Sequence, residues 1–373
     1  MALTDWICTI ATALVTAVVA WCLIPWAQRH HLVDEPNGRH DHMVSTAVVG
    51  GIAIFLGIAG VSLARGGGSK PFLGLLIAAC LIVAVGILDD LRDLSWRIRL
   101  LAHAAAALII AASGVYATSV GHLVDFGFWA LPFSVFATVG IINAVNMIDG
   151  SDGLSGCLVT VALGFFALCA ADAGDLTFVA ELMILVGGIV GFLALNLRLP
   201  GQPTARIFLG NSGSALLGLI VAWSAFRLAQ IPGNAAGGIL APWMIAIPLI
   251  DCVVLMMRRL LNGRSPFWAD RNHIHHLMRD AGYSAQRIVG VATLAALVAG
   301  AAAFIGLRVT GSELSLVLVF LGLIAIHFAW THRRERAVAH LRRRARLASA
   351  QNTNIYIDRA GVGHASLRRK SHD

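Results

Sequence analysis

Three carboxylates stand within five residues where an apolar stretch of this chain ends, at Asp89, Asp90 and Asp93. Carboxylates this close repel one another unless a cation or a basic group compensates their charge. One interpretation is a metal-dependent phosphate site in which one carboxylate acts as a base. The other is a solvated helix end that pairs with the arginines that follow, because structural ion pairs also perturb carboxylates. The residues alone leave both interpretations open.

A second polar group, in residues 143–153, follows another apolar stretch. Asn143 and Asn146 are one turn apart and therefore share a face of a helix, and Asp149 and Asp152 repeat this spacing. Their oxygens suit a hard cation such as magnesium, which proteins hold with few side chains together with phosphates. Capping of two successive helices by Asn and Asp would explain one aspartate. It does not require all four residues, so the segment favours a functional site.

Two further segments contain groups that bind anions. Residues 208–214, Phe-Leu-Gly-Asn-Ser-Gly-Ser, place glycines at a helix start, which is typical of an anion cradle but also of helix packing in membranes. Residues 270–276, Asp-Arg-Asn-His-Ile-His-His, cluster three histidines. Their spacing, with no cysteine near, does not match the usual zinc patterns. Arg39, His40 and His42 add further basic groups to these three histidines, and together these residues predict diphosphate binding. Any single histidine among them is more typical of a surface position.

These polar segments lie between stretches that are long enough to cross a membrane. The chain is 58% hydrophobic and 13% charged, outside the range of soluble proteins. A helix needs about 20 apolar residues to cross the hydrocarbon core, and lipid cannot satisfy open backbone groups. We therefore predict an all-α polytopic membrane protein with about eleven transmembrane helices. The predicted helices are residues 5–28, 46–64, 72–88, 100–119, 129–147, 155–171, 178–196, 207–227, 238–257, 288–307 and 314–331.

The distribution of basic residues predicts the orientation. With the amino terminus outside, only Arg65, Lys70, Arg227 and Arg308 of the 28 lysines and arginines lie outside, as the positive-inside rule requires. The carboxyl terminus is then cytoplasmic, and all four polar segments lie on the cytoplasmic side. A channel or transporter would place polar residues or broken helices near the midplane. The one-sided arrangement favours an enzyme that joins a cytosolic substrate to a membrane-resident one.

The end of the chain has a different composition. We divide the chain into a membrane domain, residues 1–331, and a basic cytoplasmic tail, residues 332–373, whose polar end predicts partial disorder. Nucleic acid is not an expected partner, because no aromatic platform accompanies the basic residues. Attraction to anionic lipid head groups explains the tail better. The six cysteines all lie in apolar stretches and suggest neither disulfides nor a zinc site.

Over residues 20–290 the chain resembles the polyprenyl-phosphate N-acetylhexosamine-1-phosphate transferase superfamily. The residues from 246 onward look most like the branch that transfers GlcNAc-1-phosphate from UDP-GlcNAc to undecaprenyl phosphate and releases UMP. This resemblance implies a magnesium enzyme, with manganese as an alternative, in the bacterial inner membrane. It would act at the first membrane step of a cell-envelope polysaccharide such as O-antigen, and could form a homodimer. The resemblance is carried by residues 33–42, 50–51, 89–90, 143–153, 208–218, 246–251, 258–259 and 265–276.

The resemblance also implies roles for individual residues. Asp89 or Asp90 would deprotonate or orient the lipid phosphate, and the apolar surface beside them would hold the prenyl chain. Asp149 and Asp152 would position the nucleotide or the metal, and Phe208 would stack on uracil. The metal ligands would be Asn146, Asp149 and Asn211. The remaining substrate-binding residues would be Asn143, Arg271, His273, His275, His276, Arg39 and His42.

One position departs from the family pattern. The family has Asp where this chain has Asn211, and Asn keeps an oxygen donor but loses the charge, which predicts weaker metal binding. This position supports one alternative function, an inactive homologue that binds nucleotide sugar or lipid. Two further alternatives do not depend on it: the same chemistry with another UDP-N-acetylhexosamine, and a lipid or sugar transporter. The one-sided polar groups argue against the transporter.

Overall fold

A computed structural model describes residues 2–34, 45–231, 237–265 and 270–359, with side chains up to residue 346. Helices dominate the described ranges, and the five strands are only two or three residues long. A 3₁₀ turn (Gly127–Trp129) precedes α5. The elements are α1 (Leu3–Arg29), β1 (Val33–Asp34), β2 (Thr46–Val48), α2 (Gly50–Ala64), α3 (Lys70–Arg92), α4 (Trp96–Ala112), β3 (Ser119–Val120), β4 (Val124–Asp125), α5 (Ala130–Ile148), α6 (Leu154–Asp172), α7 (Leu176–Asn196), β5 (Ile207–Phe208), α8 (Gly210–Ala229), α9 (Gly237–Met244), α10 (Ala246–Leu261), α11 (Ile274–Asp280), α12 (Ala285–Thr310), α13 (Glu313–Thr331) and α14 (Arg334–Arg359).

The prediction of an all-α polytopic membrane protein is confirmed, but the count of eleven spans is not. In the described ranges, eight helices are long and apolar enough to cross a membrane. A ninth span exists if α9 and α10 are counted together, although the pair is bent by 77°. Helix α2 has 15 residues and α4 has 17, fewer than the roughly 20 that a straight span needs.

The bend between α9 and α10 is a broken helix that the sequence did not reveal. Pro242 lies inside α9 and cannot donate a backbone hydrogen bond. The break falls at Ile245, and both residues lie on the wall of an internal cavity. A broken span is a feature of transporters, but the polar residues of this chain lie at the far end of that cavity, as described below.

Helix α8 forms the centre of the molecule, and α1 and α13 lie at its periphery. In the 18-residue apolar stretch of each helix, 89% of the residues are buried in α8, compared with 17% in α1 and 11% in α13. Helix α8 packs against α2, α3, α5 and α6. Because all these helices are apolar on every face, burial separates the central helix from those whose side chains contact lipid.

A three-stranded sheet fixes the starts of α2 and α8 beside each other. Strand β2 pairs with β1 in antiparallel and with β5 in parallel orientation, with Val48 opposite Phe208. The Gly51 N–H then donates to the Leu209 carbonyl oxygen at 3.1 Å. The predicted helices at 46–64 and 207–227 therefore begin later than predicted, because their first residues are strand.

Glycines allow α2 and α3 to approach the start of α8 closely. A Cβ atom on Gly51 would lie 2.4 Å from the backbone nitrogen of Gly213, and one on Gly86 would lie 2.3 Å from the Cα of Ser212. Real Cβ atoms do not come this close to backbone atoms. The position of the α8 N-terminus therefore depends on the absence of side chains at these two glycines.

Gly51→Ala is expected to lower the thermal unfolding temperature of the purified protein in detergent. The new methyl group must displace α8, and overpacking of this kind costs about 1–3 kcal/mol. Gly60→Ala, on the same helix, is the matched control, because nothing lies within 4 Å of its added Cβ and Ala is the better helix former by about 0.5–1 kcal/mol. An unfolding temperature that falls equally in both variants would contradict the close approach.

Three of the four basic residues that we place outside are neutralised by aspartates. Arg65 pairs with Asp5 at 2.7 Å, Arg227 with Asp175 at 2.7 Å, and Arg308 with Asp172 at 2.5 Å. The orientation itself stays a prediction. Helix α13 ends at Thr331 and α14 begins at Arg334, so the predicted domain boundary falls in a short connection. The division into two domains also stays a prediction.

Candidate active site

Asp90 holds the N-terminus of α8 from the end of α3. Its Oδ1 accepts a hydrogen bond from the Asn211 N–H at 2.8 Å, and its Oδ2 accepts one from Ser212 N–H at 3.3 Å. A carboxylate is favourable at this position, because a helix N-terminus has free N–H groups and a positive dipole end. The anion cradle predicted at residues 208–214 is thus present, and it binds a carboxylate of the chain itself.

The conformation of Gly210 makes this contact possible. Its φ of +74° lies in the left-handed region, which favours glycine. A Cβ atom there would also lie 2.4 Å from Val48 Cγ1 and 2.7 Å from Asp90 Oδ2. Gly210 therefore permits both the turn into α8 and the approach of Asp90.

Asp89 lies on the neighbouring position of α3 and is only 3% exposed. Its Oδ1 accepts from the Leu94 N–H at 2.8 Å, and its Oδ2 pairs with Arg99 Nη1 at 3.1 Å. The pairing with Arg99 is what we expect if this cluster is a helix end whose carboxylates pair with the arginines that follow. Asp89 nevertheless lines the internal cavity together with Arg99, so the carboxylate has both a fixed orientation and access to a ligand.

Asn146 of α5 and Asn211 of α8, two of the three predicted metal ligands, lie close together. Asn146 Nδ2 donates to Ser214 Oγ at 2.7 Å and lies 3.5 Å from Asn211 Oδ1. Asn143 Nδ2 donates to the Val139 carbonyl oxygen at 2.7 Å. Among the described residues, neither Asn143 nor Asn146 uses its amide oxygen as an acceptor, so both oxygens can bind a cation or a substrate.

Asp149 and Asp152 lie beside this group in the connection from α5 to α6. Asp149 Oδ1 accepts from Ser155 Oγ at 2.7 Å. Burial raises the pKa of the Asp149 carboxyl to about 6, and the nearby charges of Asp152 and Asp90 act in the same direction. Asp152 is paired with Arg198 at 2.6 Å. Neither aspartate lines the cavity, so both lie behind its polar end.

A buried asparagine that the sequence analysis did not single out fixes this connection. Asn196 Oδ1 accepts from the Gly153 N–H at 2.6 Å, and its Nδ2 donates to the Ile207 carbonyl oxygen at 2.8 Å. Asn196 is 5% exposed. The sequence contained a signal, because Asn196 is a further carboxamide at the end of a predicted span, on the side that we place in the cytoplasm. Phe208 follows Ile207 on β5 and does not line the cavity.

Asp251 fixes the start of the short histidine helix α11 and was another residue without a predicted role. Its Oδ2 lies 2.8 Å from His273 Nδ1, and its Oδ1 accepts from the Ile274 N–H at 3.0 Å. His327 of α13 lies 3.6 Å from the same carboxylate. Asp251 is 3% exposed. An ionisable residue inside an apolar helix indicates function, which is the signal that marks it.

His275 and His276 lie on α11 against the connection that follows α5. A Cβ atom on Gly150 would lie 2.1 Å from His275 Nε2, so the imidazole packs directly on the backbone. Burial lowers the pKa of His275, and burial with the nearby Arg279 charge lowers that of His276 to about 4. Both imidazoles are therefore neutral at pH 7 in this structure. In the described part of the chain, neither Nδ1 atom has a hydrogen-bond partner.

Arginines supply the positive charge around these neutral histidines. Arg279 Nη2 donates to the Gly150 carbonyl oxygen at 2.5 Å, and Arg259 Nε donates to Asp270 Oδ2 at 2.8 Å. Burial alone would raise the pKa of Asp270, but the hydrogen bonds from Arg259 and the Asn272 N–H, together with the nearby positive charge, lower that pKa. Arg271 is exposed. The predicted residues Arg39 and His42 lie outside the described residues.

A cavity of about 800 Å³ extends from these polar groups between apolar helices. Its walls come from α3, α4, α5, α8, α9 and α10, and most of its length is apolar. At the other end it reaches Val120 of β3 and Gly238 of α9. Arg99 and His103 lie one turn apart on its α4 wall. The polar end is lined by Asp89, Asn143, Asn146, Asn211, Arg259, Asp270, His273 and His276.

The sequence profile of glycosyl transferase family 4 matches residues 72–229. A relative from Yersinia pestis is 36% identical over 287 residues, which is 75% of this chain and 78% of the relative. A relative from Escherichia coli strain K12 is 35% identical over 72% of this chain and 75% of the relative. One from Haemophilus influenzae is 33% identical over 91% of this chain and 97% of the relative. The chain belongs to glycosyl transferase family 4.

All three relatives of this family 4 protein are named undecaprenyl-phosphate alpha-N-acetylglucosaminyl 1-phosphate transferase. The predicted superfamily and its branch are thereby confirmed, as is the prediction of a phospho-sugar transferase embedded in a membrane. The matched residues 72–229 run from α3 to α8. They therefore include both carboxylate clusters and Asn211, while the histidine helix lies beyond them.

The oxygen donors of this family 4 site fit a hard cation better than a soft one. In the described ranges, no three His, Cys, Asp or Glu residues form a metal-binding group. Asn146 and Asn211 instead bring two carboxamides together at the end of the cavity. Magnesium is often held by only one or two protein groups and completed by water and phosphate oxygens, so a site of this kind suits it when a diphosphate is bound.

Proposed function

We propose that this protein transfers GlcNAc-1-phosphate from UDP-GlcNAc to undecaprenyl phosphate, giving undecaprenyl-diphosphate-GlcNAc and UMP. The observation that carries the proposal is the cavity, which is apolar along most of its length and ends at Asp89, Asn146 and Asn211. A long prenyl chain that fills the apolar part places its phosphate at this polar end. The names of the relatives support the same substrates.

The lipid phosphate would lie between Asp89 and the α4 wall. Arg99 pairs with Asp89 and is 39% exposed in its side chain, so it has further donors for a phosphate. His103, one turn along α4, has a buried Nδ1 without a hydrogen-bond partner in the described residues. Both residues line the cavity at the depth where its polar and apolar parts meet.

The diphosphate of the donor would lie on the opposite side of the polar end, beside α10 and α11. Arg259, Arg271 and Arg279 supply positive charge there, and the neutral His276 supplies a ring nitrogen on the cavity wall. Asn146 and Asn211 would hold a magnesium ion together with the diphosphate. When bound, that ion neutralises phosphate charge and stabilises the leaving group.

The chemistry is phosphoryl transfer with two anionic substrates. An oxygen of the lipid phosphate attacks the phosphorus that carries the sugar, a new phosphorus–oxygen bond forms, and the bond to the UMP oxygen breaks. Asp89 orients the lipid phosphate and takes a proton from it when it is protonated. The remaining residues act mainly by positioning and by neutralising charge, which supply most of the catalysis in phosphoryl transfer.

The proposal includes a location and an orientation. Donor and acceptor meet at the cytoplasmic face of the bacterial inner membrane, with the amino terminus of the chain in the periplasm and its carboxyl terminus in the cytoplasm. The excess of lysines and arginines in the segments placed inside supports this orientation. The exposed arginines of α14 would contact anionic head groups. A first step in O-antigen or a related glycan, and a homodimer, stay predictions.

Gly140→Phe tests the assignment of the cavity to the lipid. Gly140 lines the cavity, and nothing lies within 4 Å of an added Cβ, so the ring enters the cavity without displacing the protein. We expect the KM for undecaprenyl phosphate to rise about tenfold, equivalent to ~1.4 kcal/mol. The KM for UDP-GlcNAc is expected to stay unchanged.

Gly322→Phe on α13 is the matched control, because it is equally unobstructed and does not line the cavity. UMP release by purified protein gives both KM values. Equal effects of the two substitutions, or a rise in the UDP-GlcNAc KM alone, would contradict the assignment of the cavity.

A further inference from the structure

The basic helix α14 is joined to the end of the histidine helix α11. The Arg334 guanidinium donates to the Asp280 carboxylate and lies 3.5 Å from the carbonyl oxygen of Arg271. Arg342 Nη2 donates to the Asp280 carbonyl oxygen at 2.9 Å. Asp280, the last residue of α11, therefore binds α14 through both its side chain and its backbone.

Apolar packing accompanies these polar contacts. Ala337 and Ala345 are buried, and Leu341 lies between them on the same face of α14. Leu341 packs against the cluster of Met278 from α11 and Ile288 from α12. The Tyr283 hydroxyl, in the turn after α11, donates to the Leu341 carbonyl oxygen at 3.4 Å. One face of α14 is thus docked, and its other arginines up to residue 346 are exposed.

The other side of α11 contacts the connection that contains Asp149. His275 packs on Gly150, and Arg279 donates to the Gly150 carbonyl oxygen and to Ser151 Oγ. Contacts therefore run without interruption from α14 through α11 to the residues beside the polar end of the cavity.

A helix as short as α11 cannot hold its own position. It has seven residues, and isolated helices below about 12–15 residues are marginal in water. Its start is fixed by Asp251. At its end, the carboxylate and the backbone carbonyl oxygen of Asp280 accept hydrogen bonds from α14.

We propose that α14 positions the histidine helix for the reaction, with Arg334 and Asp280 as the pair that sets its place. The basic tail is then a support of the active site as well as a surface that faces lipid. Arg334 and Asp280 are positioning residues, because both act through α11. The inference rests on the proposed function only for its activity measurement.

Charge reversal separates this role from a general effect on folding. The full-length variants are Arg334→Asp, Asp280→Arg and the double variant that exchanges the two charges. Arg336→Asp is the matched control, because Arg336 is exposed on the undocked face of α14. The side chains of Arg334 and Asp280 are 44% and 37% exposed, so their pair contributes little to global stability.

Hydrogen–deuterium exchange of residues 274–280 is the first measurement, because it does not require turnover. We expect each single reversal to raise exchange there about tenfold through local opening, and the double variant to restore it. In Arg336→Asp the exchange of residues 274–280 is expected to stay at the wild-type rate. The unfolding temperature is expected to stay at the wild-type value in all variants. Unchanged exchange in Arg334→Asp, or a double variant no better than the single ones, would overturn the proposal.

Activity is the second measurement. In Arg334→Asp the kcat/KM for UDP-GlcNAc is expected to fall about tenfold, because small displacements of positioning groups are costly. It should return in the double variant and be retained in Arg334→Lys. A wild-type protein without turnover would count against the proposed function, whereas normal turnover in Arg334→Asp would count against the role of α14.

Discussion

Asp89→Asn is expected to lower kcat about 10²–10⁴-fold, the range that a general base contributes. The substitution keeps the size of the side chain and the acceptor for the Leu94 N–H. It removes the charge that pairs with Arg99 and the ability to orient a phosphate or accept its proton. UMP release by purified protein at saturating substrates measures the effect.

Asp93→Asn is the control for this prediction. Asp93 belongs to the same carboxylate cluster, but it is exposed and does not line the cavity. Its φ of +49° is tolerated by Asn, so we expect wild-type kcat. If Asp93→Asn is as impaired as Asp89→Asn, the cluster acts as a structural helix end and Asp89 has no special role in the reaction.

Asn211→Asp is expected to lower the magnesium concentration needed for half-maximal activity by about tenfold. A carboxylate adds a negative charge at a proposed ligand, and the affinity of hard cations rises with the charge of their ligands. The neighbouring Asn146 remains in place to share the ion. The measurement is a magnesium titration of UMP release, repeated with manganese.

Asn262→Asp makes the same chemical change at an exposed position at the end of α10 and should leave the titration unchanged. Equal titrations for wild type and Asn211→Asp would show that residue 211 does not contact the metal. An inactive wild type that is rescued by Asn211→Asp would support the inactive homologue, which binds substrate without turning it over.

The membrane class followed from the sequence, because a long apolar run has few other stable structures. The starts of α2 and α8 did not follow, since Thr46–Val48 and Ile207–Phe208 pair as strands across about 160 residues of chain. Apolar strands and apolar helices have the same hydropathy. The bend at Ile245 was missed because the run 238–257 stays apolar on both sides of it, although Pro242 is a helix-breaking residue within that run.

The site was predictable where the residue type itself indicated chemistry. Of the three predicted metal ligands, Asn146 and Asn211 lie together at the cavity, where Asp89 also lies, whereas Asp149 does not line it. The partners that fix these residues were not predictable, because they come from distant parts of the chain. Arg198 and Arg279 were only two of the 28 lysines and arginines counted for orientation, yet Arg198 pairs with Asp152 and Arg279 donates to the Gly150 carbonyl oxygen.

The charge of the histidine cluster shows a further limit of the sequence. Three histidines beside several arginines suggested a positive rim for a diphosphate. Burial and the neighbouring arginines instead keep His275 and His276 neutral at pH 7, because the charged imidazole would lose hydration and face like charges. Their proposed role is therefore hydrogen bonding, while Arg259, Arg271 and Arg279 supply the charge.

UMP release by detergent-purified protein, given undecaprenyl phosphate and UDP-GlcNAc over a magnesium titration, tests the proposed function most directly. We expect turnover that needs both substrates and the metal ion, with undecaprenyl-diphosphate-GlcNAc formed in an amount equal to that of UMP. Turnover with UDP-GalNAc but not with UDP-GlcNAc would change only the donor sugar that we assign. The absence of UMP release with every UDP-N-acetylhexosamine, at every magnesium and manganese concentration, would contradict the proposed transferase.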